Sequence, residues 1–318
     1  MSVEHLATED MPEYLAAAGS VHRDVRTTDE EPAREMHERL PGKVRSSSPP
    51  VAAPDEMPPA VILAAGQGSR LCSEVDPPKP LMKLMGLTLL ERSIRTALSA
   101  GVPRIVVVIG HRGHEVASHV RSLAPRAGVP LRIVESRAWQ LGNGASALAS
   151  ERDVDGRFFV LMGDHVYPQE FLRRLVADDD GRRAVALVVD SNVDTVPDLA
   201  EATKVRLAGR RITALGKELT SFDGADTGVF LCRPALFDAL REAKARGRHT
   251  FGDAVQLLAA RGEASSSSAN GLLWQDIDTP EDLALARRRL GRRSIERVHQ
   301  RRSAHAHGEV ARPPDGSA

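Results

Sequence analysis

An arginine and a lysine follow a turn of small residues at the start of the most regularly apolar part of the chain. The apolar run Val61–Leu63 leads into this turn, and Arg70 and Lys79 come after it. Small residues after a strand let backbone N–H groups approach a polyphosphate, and fixed positive charge stabilises a reacting triphosphate. We therefore predict a nucleotide-binding turn. Its residues are Ala64, Ala65, Gly66, Gln67, Gly68 and Ser69.

Two better-known glycine motifs do not fit this turn. A Walker A loop ends in Gly-Lys-Ser/Thr, whereas this loop ends in Gly68-Ser69-Arg70. The dinucleotide fingerprint needs a small residue at position 71, which is Leu71. A glycine-rich turn without a ligand stays an alternative for the glycines alone. Arg70 and the segment Pro78-Lys79-Pro80-Leu81 favour the nucleotide interpretation.

Three aspartates are candidate metal ligands. The apolar run Phe158–Met162 predicts a buried strand, and Asp164 follows it after one glycine. Asp276 and Asp278 are two residues apart, so on an extended segment both point to one side. Paired carboxylates repel each other unless a cation lies between them. With Asp164 they predict an oxygen cage for Mg²⁺, and a turn aspartate or a helix N-cap is the alternative for Asp164 alone.

Two further polar groups are candidates for binding a substrate. The first is a second glycine-rich turn at the start of a helical pattern, formed by Gly142, Asn143, Gly144, Ala145 and Ser146. We predict that it contacts a base or ribose through the Asn143 amide or the Ser146 hydroxyl. The second group combines carboxylates, which accept hydrogen bonds from hydroxyl groups, with ammonium groups, which bind phosphate. This combination suits an acceptor that is both phosphorylated and polyhydroxylated. The residues of this second group are Glu201, Lys204, Lys217 and Asp226. Each of these groups, taken alone, is more typical of an ordinary polar surface than of a site.

The composition excludes several classes of function. The 318 residues carry 43 basic and 43 acidic side chains, so no net field attracts nucleic acid or an anionic membrane. Two cysteines do not form a disulfide framework. No run of eighteen apolar residues predicts a membrane span, and the N-terminus lacks the pattern of a secretory signal. We expect a cytoplasmic protein that does not span a membrane.

The two ends of the chain differ from its middle. Residues 1–58 are rich in acidic residues, proline and serine, which predicts disorder with at most a short helix at Met11–Ala18. Residues 293–318 form a tail rich in arginine and histidine, also predicted to be disordered. No cysteine or aromatic residue accompanies the tail's charges, which favours a solvated tail over a metal-binding or nucleic-acid-binding one. Residues 59–292 are predicted to form one domain.

The domain alternates strand-like and helical patterns, which predicts an α/β fold with a largely parallel sheet and a small antiparallel extension. Predicted strands lie at Ala60–Leu63, Arg104–Ile109, Leu131–Val134, Phe158–Met162, Ala184–Val189, Lys204–Leu207, Val229–Leu231 and Gly271–Trp274. Predicted helices lie at Leu89–Ala100, Glu115–Leu123, Ala145–Glu151, Pro168–Ala177, Pro234–Ala245, Phe251–Ala260 and Pro280–Leu290. The serine run Ser265–Ser268 predicts a flexible surface loop.

Together these motifs resemble the nucleotidyltransferase superfamily that includes the sugar-nucleotide pyrophosphorylases, over residues 59–292. The stretch LAAGQGSRL followed by PKPL resembles the opening of that superfamily. Within it, the chain is most similar to the inositol-1-phosphate cytidylyltransferases. The narrower likeness lies in Gly142–Gly144 with Ser146, Met162–Tyr167, Glu201–Val205, Ile212–Lys217, Asp226–Phe230 and Trp274–Thr279. Sugar-specific relatives usually carry asparagine where this chain has His165.

The resemblance implies a Rossmann-like fold with helices on both faces of a mixed, mostly parallel sheet, and a role for each motif. Arg70 and Lys79 would be catalytic contacts to the triphosphate, and Asp164, Asp276 and Asp278 would hold Mg²⁺. The residues implied to bind the nucleotide are Ala64, Ala65, Gly66, Gly68, Gly142, Asn143, Gly144 and Ser146. Those implied to bind the acceptor are Glu201, Lys204, Lys217 and Asp226.

The implied reaction is cytidylyl transfer from CTP to inositol 1-phosphate, giving CDP-inositol and pyrophosphate. Cytidylyl or uridylyl transfer to a sugar 1-phosphate or to phosphocholine stays an alternative, as does a non-catalytic regulatory subunit with the same fold. A phosphocholine pocket needs an aromatic cage, which two tryptophans and two tyrosines make less favourable. The expected partner downstream is a separate membrane-embedded CDP-alcohol transferase.

Overall fold

The computed structural model describes residues 56–73 and 76–292. Nearly all of the N-terminal segment 1–58, including the predicted helix at Met11–Ala18, lies outside these ranges, as does the tail 293–318. The predictions made for both ends therefore stay predictions. Within the described ranges, no helix is long and apolar enough to cross a lipid bilayer.

Seven α-helices and thirteen strands form the described part of the chain. The helices are α1 (Leu89–Ala100), α2 (Gly113–Ala127), α3 (Asn143–Leu148), α4 (Glu170–Ala177), α5 (Ala235–Ala245), α6 (Phe251–Ala260) and α7 (residues 280–292). The strands are β1 (Ala60–Ala64), β2 (Lys83–Leu84), β3 (Leu87–Thr88), β4 (Ile105–Ile109), β5 (Leu131–Glu135), β6 (Phe158–Met162), β7 (His165–Val166), β8 (Val185–Asp190), β9 (Lys204–Ala208), β10 (Arg211–Gly216), β11 (Gly224–Cys232), β12 (Ala264–Ser268) and β13 (Gln275–Asp276).

Nine of these strands form one mixed sheet in the order β5-β4-β1-β6-β11-β8-β12-β10-β9. Strands β5, β4, β1 and β6 are parallel to one another. Strand β11 is antiparallel to both β6 and β8, and β9 and β10 form an antiparallel pair at the far edge. The prediction of a parallel sheet with an antiparallel extension in the second half is confirmed.

Strand β1 shows why the sheet is covered on both faces. All five of its residues are buried. Successive side chains of a strand point to opposite faces, so Val61 and Leu63 join a core cluster with residues of α3, α5 and α6, whereas Ile62 joins a second cluster with residues of α1, α2 and α4. A strand buried on both faces has a continuously apolar sequence, which explains why the sequence predicts this strand well.

Two predictions of secondary structure are wrong, and one strand is absent from the predictions. The run Ser265–Ser268 is not a loop but part of β12, which pairs with β8 and β10 inside the sheet. Its serines are tolerated there because their polar groups have partners; the Oγ atom of Ser266, for example, donates to the backbone oxygen of Arg210 at 3.2 Å. The predicted strand at Gly271–Trp274 is irregular, and the short strand β13 follows it. Strand β10 was not predicted at all.

The parallel strands place the polar residues that follow them at one edge of the sheet. Strands β1 and β6 are neighbours in register, so the turn after β1 and the Gly163-Asp164 segment after β6 lie side by side. A Cβ atom at Gly163 would lie 2.7 Å from the backbone oxygen of Leu63, which explains the glycine. The short pair β7–β13 then places Asp276 opposite His165.

Candidate active site

A cleft of about 510 Å³ opens at this edge of the sheet, between the turn after β1 and the antiparallel extension. Eight of the residues predicted from the sequence line it: Arg70, Asn143, Asp164, Glu201, Lys217, Asp226, Asp276 and Asp278. The cleft is acidic. Its wall carries eight carboxylates, from Asp164, Asp198, Glu201, Asp226, Asp253, Asp276, Asp278 and Asp282, against the three arginine and lysine side chains of Arg70, Lys217 and Arg248.

Lys79 is held at the base of the site by two of these carboxylates. Its Nζ atom donates to Oδ2 of Asp164 at 2.6 Å and to Oδ1 of Asp278 at 2.5 Å. Only 7% of its side chain is exposed. Gly68 has a φ of +67°, and a Cβ atom there would lie 2.4 Å from Cβ of Lys79. The second glycine of the turn is therefore required because the lysine stem packs against it.

The charges of this group stabilise one another. Burial alone would lower the pKa of Lys79, but Asp164, Asp276 and Asp278 outweigh it and raise that pKa above its ordinary value. Burial opposes ionisation of Asp164 too, yet Lys79 and His165 hold the pKa of its carboxyl well below the usual range. Lys79 and Asp164 are therefore both charged at neutral pH.

His165 joins the two aspartates on the other side of the site. Its Nδ1 atom lies 2.9 Å from Oδ1 of Asp164 and 3.4 Å from Oδ1 of Asp276. Burial lowers the pKa of His165, but Asp276 and Asp164 outweigh it and raise that pKa to about 9. Burial raises the pKa of Asp276 to about 6, against the opposing effect of His165. Asp276 is the less firmly ionised of the two carboxyl groups.

The donor set fits a divalent cation. Oδ1 of Asp276 is buried and accepts no hydrogen bond from any described residue, so it is an oxygen available to a ligand. Ligand atoms of Asp164, His165 and Asp276 lie within 4.8 Å of one another. Carboxylate oxygens are the protein ligands that Mg²⁺ prefers. Of the three predicted metal ligands, Asp164 and Asp276 come together here, while Asp278 is joined to them through Lys79.

Arg70 lies between Asp278 and the acceptor-side residue Glu201. Its Nη2 atom donates to Oδ2 of Asp278 at 2.6 Å, and its Nη1 atom lies 3.8 Å from Oε2 of Glu201. The same Glu201 oxygen accepts from Nζ of Lys217 at 3.3 Å. The side chains of Arg70, Glu201 and Lys217 are all more than half exposed. The ion pairs of Glu201 with Arg70 and with Lys217 therefore each stabilise the fold by at most about 1 kcal/mol, and a phosphate can replace Glu201 as the partner of either cation.

Asp226 lies inside strand β11, at an irregularity in its pairing with β8, rather than before a strand as predicted. Its Oδ1 atom accepts from the backbone N–H of Gly228 at 2.7 Å. Burial raises the pKa of this carboxyl to about 6, although the Gly228 N–H and His165 oppose the rise. At pH 7.5 Asp226 is thus a partly buried, charged acceptor that faces the cleft.

Three predicted binding residues have their polar atoms engaged within the protein. Oδ1 of Asn143 accepts from the backbone N–H of Phe251 at 2.8 Å, at the start of α6. Ser146 is buried, and its Oγ atom donates to the backbone oxygen of Gly142. Nζ of Lys204 donates to the backbone oxygens of Ala200 and Lys217, and Lys204 is outside the cleft wall.

The remaining nucleotide-side residues supply backbone. Ala64 and Ala65 are buried at the end of β1, whereas Gly66 is exposed and has open space around its Cα. Gly142, with a φ of +134°, and Gly144 pack against the backbone of His249, where a Cβ atom would lie within 3 Å of its oxygen. Helix α3, which follows Gly142, packs against β1, so the two glycine-rich turns are neighbours.

Four residues of the cleft wall have no role assigned from the sequence, namely His165, Arg248, Gln256 and Trp274. The position of His165 directly after Asp164 was a usable signal, because β6 ends at the same edge of the sheet. Arg248 and Gln256 carry no such signal. They lie on either side of the start of α6, and only the packing of that helix against β10 brings them to the cleft.

A family description of the MobA-like NTP transferase domain matches residues 60–306. A protein named "Bifunctional IPC transferase and DIPP synthase" from Rubrobacter xylanophilus is 45% identical over 233 residues, which is 71% of this chain and 50% of that protein. A protein of the same name from Thermococcus kodakarensis is 32% identical over 239 residues, 74% of this chain and 51% of that protein. The chain spans about half the length of these relatives.

The solved structure of the inositol-1-phosphate CTP transferase from T. maritima is similar in fold, with a TM-score of 0.65 and 26% identity. The likeness covers 72% of this chain and 91% of that one. The chain belongs to the MobA-like NTP transferase family and is a nucleotidyltransferase.

Proposed function

We propose that this nucleotidyltransferase catalyses the Mg²⁺-dependent transfer of a cytidylyl group from CTP to inositol 1-phosphate, forming CDP-inositol and pyrophosphate. The observation that carries the proposal is the arrangement of the cleft. A buried lysine paired with two aspartates lies at the base of the cleft, and a carboxylate-rich wall with one lysine faces them. The likeness to the inositol-1-phosphate CTP transferase from T. maritima supports the choice of substrates.

The proposed reaction needs alignment and charge neutralisation rather than a protein base. The attacking group is a phosphate oxygen of the acceptor, which is already ionised near neutral pH. It attacks the α-phosphorus of CTP, a new P–O bond forms, and the bond to pyrophosphate breaks. A Mg²⁺ ion held by Asp164 and Asp276 would supply positive charge to the phosphates. The protein holds the reacting groups in line, which is the larger part of catalysis in such transfers.

Lys79 is suited to contact the triphosphate although it is already paired. An ammonium group has three N–H donors, and Asp164 and Asp278 use two of them. The third is free to donate to a phosphate oxygen. Because the two carboxylates fix Nζ in place, this donor is preorganised and costs little reorganisation during the reaction. Arg70, whose side chain is more than half exposed at the mouth of the site, is the second proposed contact.

The acceptor is proposed to bind against the extension of the sheet. Lys217 would bind its phosphate, and Glu201 and Asp226 would accept hydrogen bonds from ring hydroxyls. The aromatic residues of the cleft wall do not form an open cage for a choline group: Phe230 and Phe251 are packed on each other and buried, and Trp274 is 5% exposed. We further propose that a membrane-embedded CDP-alcohol transferase consumes the product.

A screen of pyrophosphate release tests the proposal. The purified chain is incubated with Mg²⁺ and each of four nucleoside triphosphates, with inositol phosphates, sugar 1-phosphates or phosphocholine as acceptors. We expect release with CTP and inositol 1-phosphate, and mass spectrometry should identify CDP-inositol. Release only with a sugar 1-phosphate would refute the inositol assignment. No release with any pair, from a folded protein that binds CTP, would favour a non-catalytic role.

A further inference from the structure

The imidazole ring of His165 lies in a narrow slot. The indole ring of Trp274 forms one wall, nearly parallel to the imidazole, with an interplanar angle of 17° and 6.3 Å between ring centroids. Gly228 forms another wall. A Cβ atom at position 228 would lie 2.5 Å from Cδ2 and 2.8 Å from Nε2 of His165. The slot therefore leaves the ring little freedom to rotate.

Trp274 is itself fixed by a buried hydrogen bond. Its Nε1 atom donates to Oδ2 of Asp190 at 2.8 Å, and Asp190 is 5% exposed. The other oxygen of Asp190 accepts from the backbone N–H of Asn192 at 3.0 Å. Asp190 ends strand β8, opposite Ala225 of β11. The orientation of the indole is thus set by the central sheet.

The fixed ring places one N–H donor between two carboxylates. Nδ1 of His165 lies 2.9 Å from Oδ1 of Asp164 and 3.4 Å from Oδ1 of Asp276. These aspartates come from separate segments, and without a partner between them they repel each other. The donor keeps both carboxylates on one side of the cleft, close enough to share a cation.

We propose that His165 is a positioning residue that holds Asp164 and Asp276 at a metal-binding separation, and that Trp274 and Gly228 hold His165. The inference rests on the proposed function and deepens it. In this arrangement Nδ1 of His165 donates to Oδ1 of Asp164 and lies within ion-pair distance of Oδ1 of Asp276, and His165 is not itself a ligand, consistent with the preference of Mg²⁺ for oxygen. Loss of a group that orients a metal ligand typically weakens metal binding about 10- to 100-fold.

Replacing His165 by asparagine or by glutamine tests whether the position of its N–H donor matters or whether the imidazole ring itself is needed. The side-chain nitrogen of asparagine sits at the branch position of Nδ1, whereas that of glutamine reaches the position of Nε2. We expect His165→Gln to weaken binding of Mn²⁺ to the nucleotide-free protein about 10- to 100-fold. His165→Asn should recover binding to within about threefold of the wild type, because it restores the donor. Free Mn²⁺ is measured by electron paramagnetic resonance, without turnover.

The control is His119→Gln, a histidine of α2 whose Nε2 atom pairs with Oγ1 of Thr88, away from the cleft. It should bind Mn²⁺ as the wild type does. Trp274→Leu removes both the flat wall and the bond to Asp190 and should weaken Mn²⁺ binding, whereas Trp274→Phe keeps a flat ring but loses the bond and should weaken it less. These two variants decide the question if His165→Gln does not fold, as judged by its thermal unfolding.

Two outcomes would overturn the inference. Wild-type Mn²⁺ affinity in His165→Gln would show that the donor does not position the carboxylates. Equal losses in folded His165→Gln and His165→Asn would show that the imidazole itself is needed, as for a direct ligand. Both outcomes leave the proposed function intact, since that is judged separately from the products that the wild type makes.

Discussion

Replacing Asp226 by asparagine should stabilise the protein while weakening acceptor binding. The carboxylate is partly buried in the cleft wall, and the Gly228 N–H is the hydrogen-bond donor recorded for it among the described residues. Asparagine keeps an oxygen that can accept this bond but removes the charge. Burial is what raises the pKa of Asp226 to about 6, so the charged form carries a desolvation cost that the neutral amide avoids.

The magnitude follows from the pKa. The folded-state value of about 6 compares with an ordinary value of 3.8. A tenfold change in proton affinity is worth about 1.4 kcal/mol, so the cost of the charge is at most about 3 kcal/mol. Because Asp226 is partly accessible to water in the cleft, we expect about 2 kcal/mol for Asp226→Asn at pH 8. For a domain of this size that corresponds to a rise in Tm of about 4 to 8 °C.

The sign of the pH dependence is fixed by the direction of the shift. As pH rises, the unfolded chain loses this proton before the folded one, so the folded wild type becomes less stable relative to the variant. The advantage of Asp226→Asn should be small near pH 4, reach about half its full size near pH 5, and be complete above about pH 7. His165 is the charged group that opposes the shift, and it stays protonated over most of this range.

Thermal unfolding of wild type and variant at pH 5 and pH 8 measures this effect. Asp223→Asn is a matched control, because Asp223 is exposed and its Oδ2 atom accepts from the Leu207 N–H, a bond that asparagine can keep. It should change Tm little at either pH. Steady-state kinetics of Asp226→Asn should show a raised KM for the acceptor and a nearly unchanged KM for CTP. A variant that is less stable than the wild type at pH 8, or equally altered at both pH values, would refute the reasoning.

Three further predictions concern the lysine and its neighbours. Lys79→Ala should reduce kcat at least about 100-fold, because it removes a preorganised donor. Calorimetry should show a much smaller change in the affinity for CTP. Near-normal turnover of this variant would exclude a catalytic role for Lys79. Asp164→Asn should abolish Mg²⁺-dependent activity, and an unchanged Mg²⁺ titration would contradict the proposed ligand set. Gly68→Ala should lower the free energy of unfolding by about 1 to 2 kcal/mol through its left-handed backbone alone, and displacement of the Lys79 stem should lower kcat as well. An unaltered Tm in Gly68→Ala would argue against this packing.

The central strands are predictable from the sequence because a strand that is buried on both faces needs apolar residues at every position. Strands β1, β4 and β6 were therefore found to within a residue. Strand β12 was missed for the opposite reason. Its serines satisfy their hydroxyl groups inside the sheet, for example through Arg210, and composition alone does not distinguish such a strand from a loop.

In the site, residue types were predictable but their pairing was not. The sequence marked Lys79, Asp164 and Asp278 as separate contacts for phosphate and metal. Their direct ion pairs join residues 85 and 199 positions apart, which only the sheet topology brings together. The same limit applies to Lys204, which bonds to the backbone oxygen of Lys217 and is outside the cleft wall.

The excess of carboxylates in the cleft wall has a consequence for which form of the substrate can enter. Eight acidic side chains face three arginine and lysine side chains, and the negative charges stay in excess when the cations of Lys79 and His165 are added. Arg70 and Lys217 are already engaged by Asp278 and Glu201. A bare triphosphate with four negative charges meets net repulsion in this field, whereas the metal chelate carries half of that charge and brings the cation that the carboxylates lack. We therefore expect the cleft to favour chelated nucleotide over the bare triphosphate, so that activity should depend on free Mg²⁺ as well as on total nucleotide.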